Sequence, residues 1–206
     1  MGMLPDAVIV NALVRQALVA AQEVMGQNGL NTVLRTSHLE RFIDNFPPED
    51  MQPGVKTSEY ARLNEAIEAF YGRGARGMLR RIGKASFQYA VREQSGLMGL
   101  AGAALKLMPQ KQRIRFILNQ MLGALKKTNP QVDGWVEEKD GVIAYCERTC
   151  GICYGRKSEQ PICHLYVGSI GEAVRWATDT NFDIRETHCV AKGDEYCRFE
   201  VGEALG

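Results

Sequence analysis

All six cysteines of the chain lie between Cys146 and Cys197, and the 145 residues before them contain none. Clustered thiols constrain a fold strongly, because a bound metal or a set of disulfides ties together the segments that carry them. Disulfides need an oxidising compartment. The N-terminal residues Met1 to Asp6 have neither the basic start nor the cleavage site of a secretory signal. The cysteines are therefore predicted to serve metal or redox chemistry in a cytoplasmic protein.

Neither a nucleic acid nor a membrane is a predicted partner. The 206 residues carry a net charge of +1 at pH 7, so the chain has no basic field to hold a phosphate backbone. A membrane span needs about 20 apolar residues in a row. The apolar stretch 7–25 is interrupted by Asn11, Arg15, Gln16, Gln22 and Glu23, and no membrane span is expected.

The first two-thirds of the sequence has the apolar periodicity of helices. One helix is predicted to start at Pro5 and to end at about Val24, before Gly26. Another is predicted to begin at Pro109 and to end before Pro130, with apolar residues along one face. This part of the chain is therefore expected to be helical.

After Pro130 the pattern changes to short strands. The stretch 135–145 predicts two strands around an Asp-Gly turn, and a loop rich in Cys and Gly follows. A helix is predicted over 164–178, and a last hairpin over 182–190 and 196–201. The predicted fold class is α/β of the α+β kind, with a helical N-terminal part packed on a small antiparallel sheet.

The last hairpin is predicted to place Cys189 opposite Cys197. Directly opposed residues have Cβ atoms about 4.5–5.5 Å apart, and two thiolates at that spacing can bind one tetrahedral zinc ion. Glu186 is a candidate third ligand. It lies three residues before Cys189, so in a regular strand it would point to the opposite face. It can join the site only if the strand is irregular at Thr187 and His188.

A fourth ligand must come from another segment. Cys163 is a candidate, because it lies at the predicted start of a helix and a helix N-terminus favours the thiolate form. His164 and His188 are alternative nitrogen ligands, although each is an ordinary surface histidine in the simpler interpretation.

The remaining cysteines, Cys146, Cys150 and Cys153, form a Cys-x3-Cys-x2-Cys run. The spacing is similar to the cluster-binding run of radical enzymes that cleave S-adenosylmethionine, but those enzymes need a large barrel after the run and too little chain follows here. A second zinc site or an iron–sulfur cluster on these three thiols is one hypothesis. A loop with free thiols is the alternative.

The C-terminal part resembles the 4-vinyl-reductase domain family over about Pro130 to Val201, and more weakly over 73–93. The matching text is Cys163-His-Leu-Tyr-Val-Gly168-Ser-Ile-Gly171-Glu172, then Glu186-x-x-Cys189, then Gly193-Asp194-x-x-Cys197-x-Phe199. The resemblance implies an α/β fold related to subunits of vesicle-tethering complexes, and a homodimer. It also implies a domain over 73–206 preceded by a helical extension over 1–72.

In sensory members of that family, three Cys and one Glu bind zinc beside a pocket for a small aromatic effector. The resemblance therefore implies that Cys163, Glu186, Cys189 and Cys197 bind a structural zinc ion that pins the C-terminal helix and hairpin. Four protein ligands leave no open position on the metal. The helix and the hairpin would then wall a pocket for a small hydrophobic or aromatic molecule. Its predicted lining residues are Trp135, Val167, Ile170 and Ile184.

Two other functions remain open from the sequence. One is a reductase, or an accessory protein, that acts on tetrapyrrole vinyl groups in bacteriochlorophyll synthesis, with an iron–sulfur cluster as its carrier. It is disfavoured because no Gly-x-Gly-x-x-Gly follows a predicted strand and no acid–base pair is evident. The other is an interaction subunit that uses the apolar stretch 97–108. The favoured prediction is a binding domain with a sensory or carrier role.

Overall fold

The computed structural model describes residues 6–93, 105, 107–129 and 131–206. The helices are α1 (Asn11–Thr36), α2 (Thr57–Tyr71), α3 (Ala75–Glu93), α4 (Gln110–Thr128) and α5 (His164–Thr178). The strands are β1 (Val8–Val10), β2 (Pro53–Lys56), β3 (Gly134–Lys139), β4 (Val142–Glu147), β5 (Phe182–His188) and β6 (Cys197–Ala204). Helices pack on antiparallel sheets, and the predicted fold class is confirmed.

The larger sheet has four antiparallel strands in the order β3-β4-β6-β5. The turn between β3 and β4 is the predicted Asp-Gly turn. Asp140 and Gly141 have φ angles of 52° and 80°, the positive values that a two-residue hairpin turn requires.

Strand β5 is irregular where Glu186 was predicted to need it. Glu186 pairs with Phe199 and His188 pairs with Arg198, so the register shifts between them. The predicted irregularity at Thr187 and His188 is confirmed. Strand β5 ends at His188, two residues earlier than predicted, because the chain enters a short 3-10 turn at Val190–Lys192.

Helix α5 has the predicted bounds and crosses α3 at very short distance. A Cβ on Gly83 would lie 2.0 Å from the Leu165 carbonyl oxygen, and a Cβ on Gly168 would lie 2.0 Å from the Arg80 carbonyl oxygen. Ser169 Oγ donates a hydrogen bond of 2.9 Å to the Gly83 carbonyl. The absence of side chains at these two glycines therefore lets the two helix backbones touch.

The start of the chain differs from the prediction of a helix from Pro5. Residues Val8–Val10 form β1, which pairs with β2 through Ile9 and Val55, because β-branched residues suit a strand. Helix α1 then continues to Thr36 across a kink at Gly26, whose φ of 74° and ψ of 162° are not helical. The predicted interruption at Gly26 is therefore present, and helix resumes after it.

One hydrophobic cluster joins residues from both sides of the predicted domain boundary at 72/73. Leu18, Leu30, Leu79 and Phe199 all belong to it and are fully buried. The division into 1–72 and 73–206 stays a prediction, as does the homodimer. The apolar stretch 97–108 falls mostly outside the described residues. None of the described helices combines the length and the apolar character needed to cross a membrane.

Candidate metal centre and ligand cleft

Five of the six thiols converge at one end of the sheet. The Sγ atoms of Cys150 and Cys163 lie 3.5 Å apart, as do those of Cys153 and Cys197. Cys163 Sγ lies 3.9 Å from the Sγ atoms of both Cys189 and Cys197. All five cysteines are at most 3% exposed. The structure therefore buries a compact thiol cluster, defined here as these five residues.

Each member of the thiol cluster sits where a secondary-structure element begins or ends, or in a loop between two of them. Cys163 is the N-terminal cap of α5, and Cys197 is the first residue of β6. Cys189 follows the last residue of β5. Cys150 and Cys153 lie in the loop between β4 and α5. Four separate segments are thus brought together at one point.

Backbone N–H groups support the thiol cluster from outside. The amide of Val190 donates to Cys197 Sγ at 3.4 Å, and the amide of Cys163 donates to Glu186 Oε2 at 2.7 Å. The amide of Cys189 donates to Asp194 Oδ2 at 2.8 Å. Hydrogen bonds to a thiolate or a carboxylate stabilise its charged form, which is the form that binds a metal.

Two overlapping groups of four residues have the spacing of a metal site. One is Cys163, Glu186, Cys189 and Cys197, and the other is Cys150, Cys153, Cys163 and Cys197. Within each group the ligand atoms all lie within 4.8 Å of one another. The first group consists of the same four residues that were predicted to bind zinc. The structure therefore brings those four residues together.

The Glu186 carboxyl fits a cation better than it fits its protein surroundings. Its Oε1 atom is buried and has no hydrogen-bond partner. Burial, followed by the charge of Cys189, raises the pKa of Glu186 to about 9. A buried carboxylate without a cation is costly, and a bound divalent ion would supply both the missing partner and the missing charge. The residues present therefore fit zinc.

The pKa values of the clustered thiols are shifted in opposite directions. A hydrogen bond from Cys153 lowers the pKa of Cys150 well below its usual value. Burial raises the pKa of Cys163 well above its usual value. A metal cation would balance the charge of those thiols that ionise in this buried site.

The sixth cysteine and the histidines stand apart from the thiol cluster. The Cys146 thiol lies beside Glu137 and Arg198, and burial raises its pKa to about 12. The hypothesis of a site on Cys146, Cys150 and Cys153 thus involves residues that the structure separates. Neither His164 nor His188 belongs to a group of ligand-like side chains among the described residues.

The residues predicted to line a ligand pocket lie in two places. Val167, Ile170 and Ile184 belong to the hydrophobic cluster, with exposures of 1–5%. Trp135 packs edge-on against Tyr196 with ring centroids 5.0 Å apart, and the Arg148 guanidinium lies 4.7 Å from its ring. Whether these four residues contact a ligand stays a prediction.

The structure has an open surface cleft elsewhere, between α3 and α5, with a volume of about 330 Å³. Its lining residues are Phe87, Gln88, Val91, Arg92, Glu172, Arg175 and Trp176. We call it the α3/α5 cleft. The cleft was not predicted from the sequence, in which the spacing of Phe87 and Val91 on one face of α3 was the available signal.

Comparison with known proteins supports the C-terminal resemblance. The family model of the 4-vinyl-reductase domain matches residues 148–203, which confirms the predicted resemblance to that family. The match includes both overlapping ligand groups. A sequence search of curated proteins found no match.

The whole fold is similar to that of H-NOX proteins. A crystal structure of the Fe(II) unliganded H-NOX protein from K. algicida superposes with a TM-score of 0.61 at 14% identity, covering 96% of this chain and 97% of that one. The S. oneidensis H-NOX protein in its Fe(II)NO state gives 0.58 at 12% identity, covering 96% and 100%. An oxygen-binding H-NOX domain related to soluble guanylate cyclases gives 0.57 at 11% identity, covering 94% and 93%. At these identities the likeness establishes the fold.

Haem distortion in the H-NOX family is the subject of one matching structure, which raises the question of whether the residues here fit a haem. Haem iron is held by His, Cys, Met or Tyr side chains. None of these types lines the α3/α5 cleft as the described residues define it. Between the helices and the sheet, large side chains such as Leu79, Tyr145 and Phe199 fill the interior. The α3/α5 cleft, as its described residues define it, therefore does not fit a haem.

Proposed function

We propose that the chain is a zinc-stabilised binding domain for a small hydrophobic or aromatic molecule, with a sensory or carrier role. One observation carries the proposal. Helix α5 begins next to Cys163 of the thiol cluster, and its other end supplies Glu172, Arg175 and Trp176 to the α3/α5 cleft. The same helix therefore connects the candidate metal centre to the candidate ligand site.

The proposed zinc ligands are Cys163, Glu186, Cys189 and Cys197. Four protein ligands complete a tetrahedral coordination, so the ion has a structural role. When bound, zinc would cross-link the N-terminus of α5 to the adjoining ends of β5 and β6. In this role the four residues hold α5 in place and do no chemistry on a substrate.

The geometry supports a single-ion type of site more than an iron–sulfur cluster. Ligand sulfurs on one tetrahedral ion, at metal–sulfur distances of about 2.3 Å, lie about 3.8 Å apart. The distances of 3.9 Å from Cys163 Sγ to the Sγ atoms of Cys189 and Cys197 agree with that spacing. In a [4Fe–4S] cluster each thiolate binds a different iron atom, so the four thiolates are held farther apart. The reductase alternative is disfavoured, because Cys146 shares no ligand group with Cys150 and Cys153 among the described residues.

The α3/α5 cleft has the composition of a site for a small aromatic molecule. Phe87, Val91 and Trp176 supply apolar surface, and Arg92 adds a positive charge at the exposed side. Gln88 donates to Glu172 Oε1 at 2.8 Å, which orients the Glu172 carboxylate. A largely apolar lining with few oriented polar groups is typical of ligand sites, and an aromatic acid would match this set.

Contact between α3 and α5 would transmit binding to the rest of the fold. The two backbones touch at Gly83 and Gly168, so the helices cannot slide past each other without disturbing the carbonyls of Leu165 and Arg80. A molecule in the cleft contacts both helices beyond this crossing. Binding of such a molecule would therefore change the stability with which α5 packs on α3.

Binding of an aromatic sulfonate, 1-anilinonaphthalene-8-sulfonate, to the purified zinc-loaded protein tests the proposal. We expect saturable binding that weakens at least tenfold in Trp176→Ala and in Val91→Glu. Phe70→Ala is the matched control, since Phe70 is an exposed aromatic residue outside the cleft, and it should bind as the wild type does. Equal binding by all variants would contradict the cleft assignment.

A further inference from the structure

We propose that the thiol cluster and Glu186 hold two divalent metal ions that share Cys163 and Cys197 as bridging ligands. The inference rests on the proposed metal centre and adds a second ion to it. Cys150 and Cys153 would complete the coordination of the added ion. Glu186 and Cys189 would complete that of the first.

The overlap of the two ligand groups is the first argument. Each group contains four residues whose ligand atoms lie within 4.8 Å of one another, and the two groups have Cys163 and Cys197 in common. Two tetrahedra that share an edge have this arrangement, with two common ligands and two separate ligands for each ion. The six residues thus supply all eight positions of two four-coordinate ions.

The distances agree with a shared edge. Cys163 Sγ and Cys197 Sγ lie 3.9 Å apart, near the spacing of about 3.8 Å expected for two sulfurs on one tetrahedral ion. Each of them is also 3.5 Å from a sulfur of the second pair, Cys150 or Cys153. Both bridging atoms are therefore within ligand spacing of partners from each group.

Charge balance permits the second ion. With one divalent ion on three thiolates and Glu186, the centre carries two net negative charges. Adding Cys150 and Cys153 as thiolates together with a second divalent ion leaves that net charge unchanged. Without the second ion, two more buried thiols would crowd the bridging sulfurs with no cation to offset any charge they carry, which is costly in a buried site.

The loop that carries Cys150 and Cys153 has the residue spacing of a metal-binding loop. The two residues form a Cys-x2-Cys pair, the spacing with which zinc sites commonly bind one ion from a single loop. The amide of Arg156 donates to the Cys153 carbonyl at 3.0 Å, and the Arg156 side chain pairs with Glu68 of α2. The loop is thereby anchored on the helical part with both thiols facing Cys163 and Cys197.

The ligand set indicates ions of the zinc class. Thiolates favour zinc over oxygen-seeking cations such as Mg²⁺ and Ca²⁺. Both ions would be four-coordinate with protein ligands alone, so neither offers a position to a substrate. The second ion would extend the cross-link from α5, β5 and β6 to the loop after β4.

Metal content of the purified full chain, measured by mass spectrometry after zinc loading and desalting, tests the inference. We expect two zinc ions per chain in the wild type, one in the Cys150→Ser/Cys153→Ser double variant, and one in the Glu186→Gln/Cys189→Ser double variant. Cys146→Ser is the matched control, a buried cysteine outside the thiol cluster, and should keep two ions. Circular dichroism checks that each variant is folded.

Cadmium substitution of the wild type gives a test that needs no variant. Two ¹¹³Cd resonances with cadmium–cadmium coupling are expected, because bridging thiolates connect the nuclei. One resonance and one ion per chain would overturn the two-ion inference. If that ion persists in Cys150→Ser/Cys153→Ser and is lost in Cys189→Ser, the proposed zinc ligands stand. The reverse pattern, or a chain without metal, would overturn both proposals.

Discussion

The helical part before Glu93 and the C-terminal part after residue 148 share one hydrophobic cluster, but only the C-terminal part adds a group of side chains that could bind metal. Helices α1 to α3 bury residues such as Leu18, Leu30 and Leu79, and their stability comes mainly from apolar burial. The C-terminal part places six side chains that could bind metal at one point. The comparison shows that one chain can combine two kinds of sequence signal. The apolar core is encoded by periodicity and has no motif, whereas the candidate metal centre is recognisable from the spacing of a few residues.

Metal removal should separate the two parts most strongly. Structural zinc contributes on the order of 10 kcal/mol to the folding of small metal-dependent domains. We expect amides of 163–203 to lose most of their hydrogen-exchange protection after chelation, while those of α1 and α2 keep theirs. Equal loss of protection in both parts would show that they unfold as one unit, and the comparison would fail.

Substitution at the helix crossing should have the next largest effect. A methyl group at Gly168 meets the Arg80 carbonyl at 2.0 Å, and one at Gly83 meets the Leu165 carbonyl at 2.0 Å. Backbone atoms must then move apart, so each change to Ala should lower the free energy of unfolding by about 3 kcal/mol or more.

Gly77→Ala is the control for the crossing, since a Cβ at Gly77 of α3 has no neighbour within 4 Å. It should stabilise the helix by about 0.5–1 kcal/mol. Chemical denaturation of the three variants measures all of these values. If Gly77→Ala destabilises the protein as much as Gly83→Ala and Gly168→Ala do, the loss of stability comes from the helix itself and not from the crossing.

A pH-dependent effect is expected from Glu147, which is buried beside the Tyr145 hydroxyl at 3.1 Å. Burial raises its pKa to about 7 from an ordinary value of 4.5. The folded state therefore keeps the Glu147 proton at a pH where the unfolded state has lost it, and stability falls as pH rises from about 4.5 to 7.

Glu147→Gln removes this titration. Relative to the wild type, the free energy of unfolding of the variant should rise by about 3 kcal/mol across that interval and stay level above pH 7. Denaturation curves at matched pH values measure the difference, in which effects common to both proteins cancel. A difference that does not change with pH would show that Glu147 titrates normally.

The smallest effect is expected at the surface of the helical part. Arg41 donates to both carboxylate oxygens of Glu59 at 2.8 and 2.9 Å, with the Arg41 side chain 47% exposed. Exposed pairs contribute about 1 kcal/mol or less, so Arg41→Ala should change the free energy of unfolding by no more than that. A loss above about 2 kcal/mol in chemical denaturation would mean that charge pairing, and not apolar burial, stabilises this part.

Much of the C-terminal part could be predicted because its signals are local. The bounds of α5, the turn at Asp140 and Gly141, and the irregularity beside Glu186 all follow from a few neighbouring residues. The start of the chain could not be predicted in the same way. Residues Val8–Val10 form a strand because β2, more than forty residues later, supplies the partner.

By itself the sequence determined which residue types are available to the metal centre and which four match the pattern of the 4-vinyl-reductase domain. Only the tertiary structure decided that Cys150 and Cys153 join Cys163 and Cys197 while Cys146 does not. The physical reason is the alternation of side chains along β4, which turns Cys146 away from Tyr145 and Glu147 towards Arg198. The α3/α5 cleft likewise depends on two helices about eighty residues apart in sequence, which meet only because Gly83 and Gly168 allow their backbones to touch.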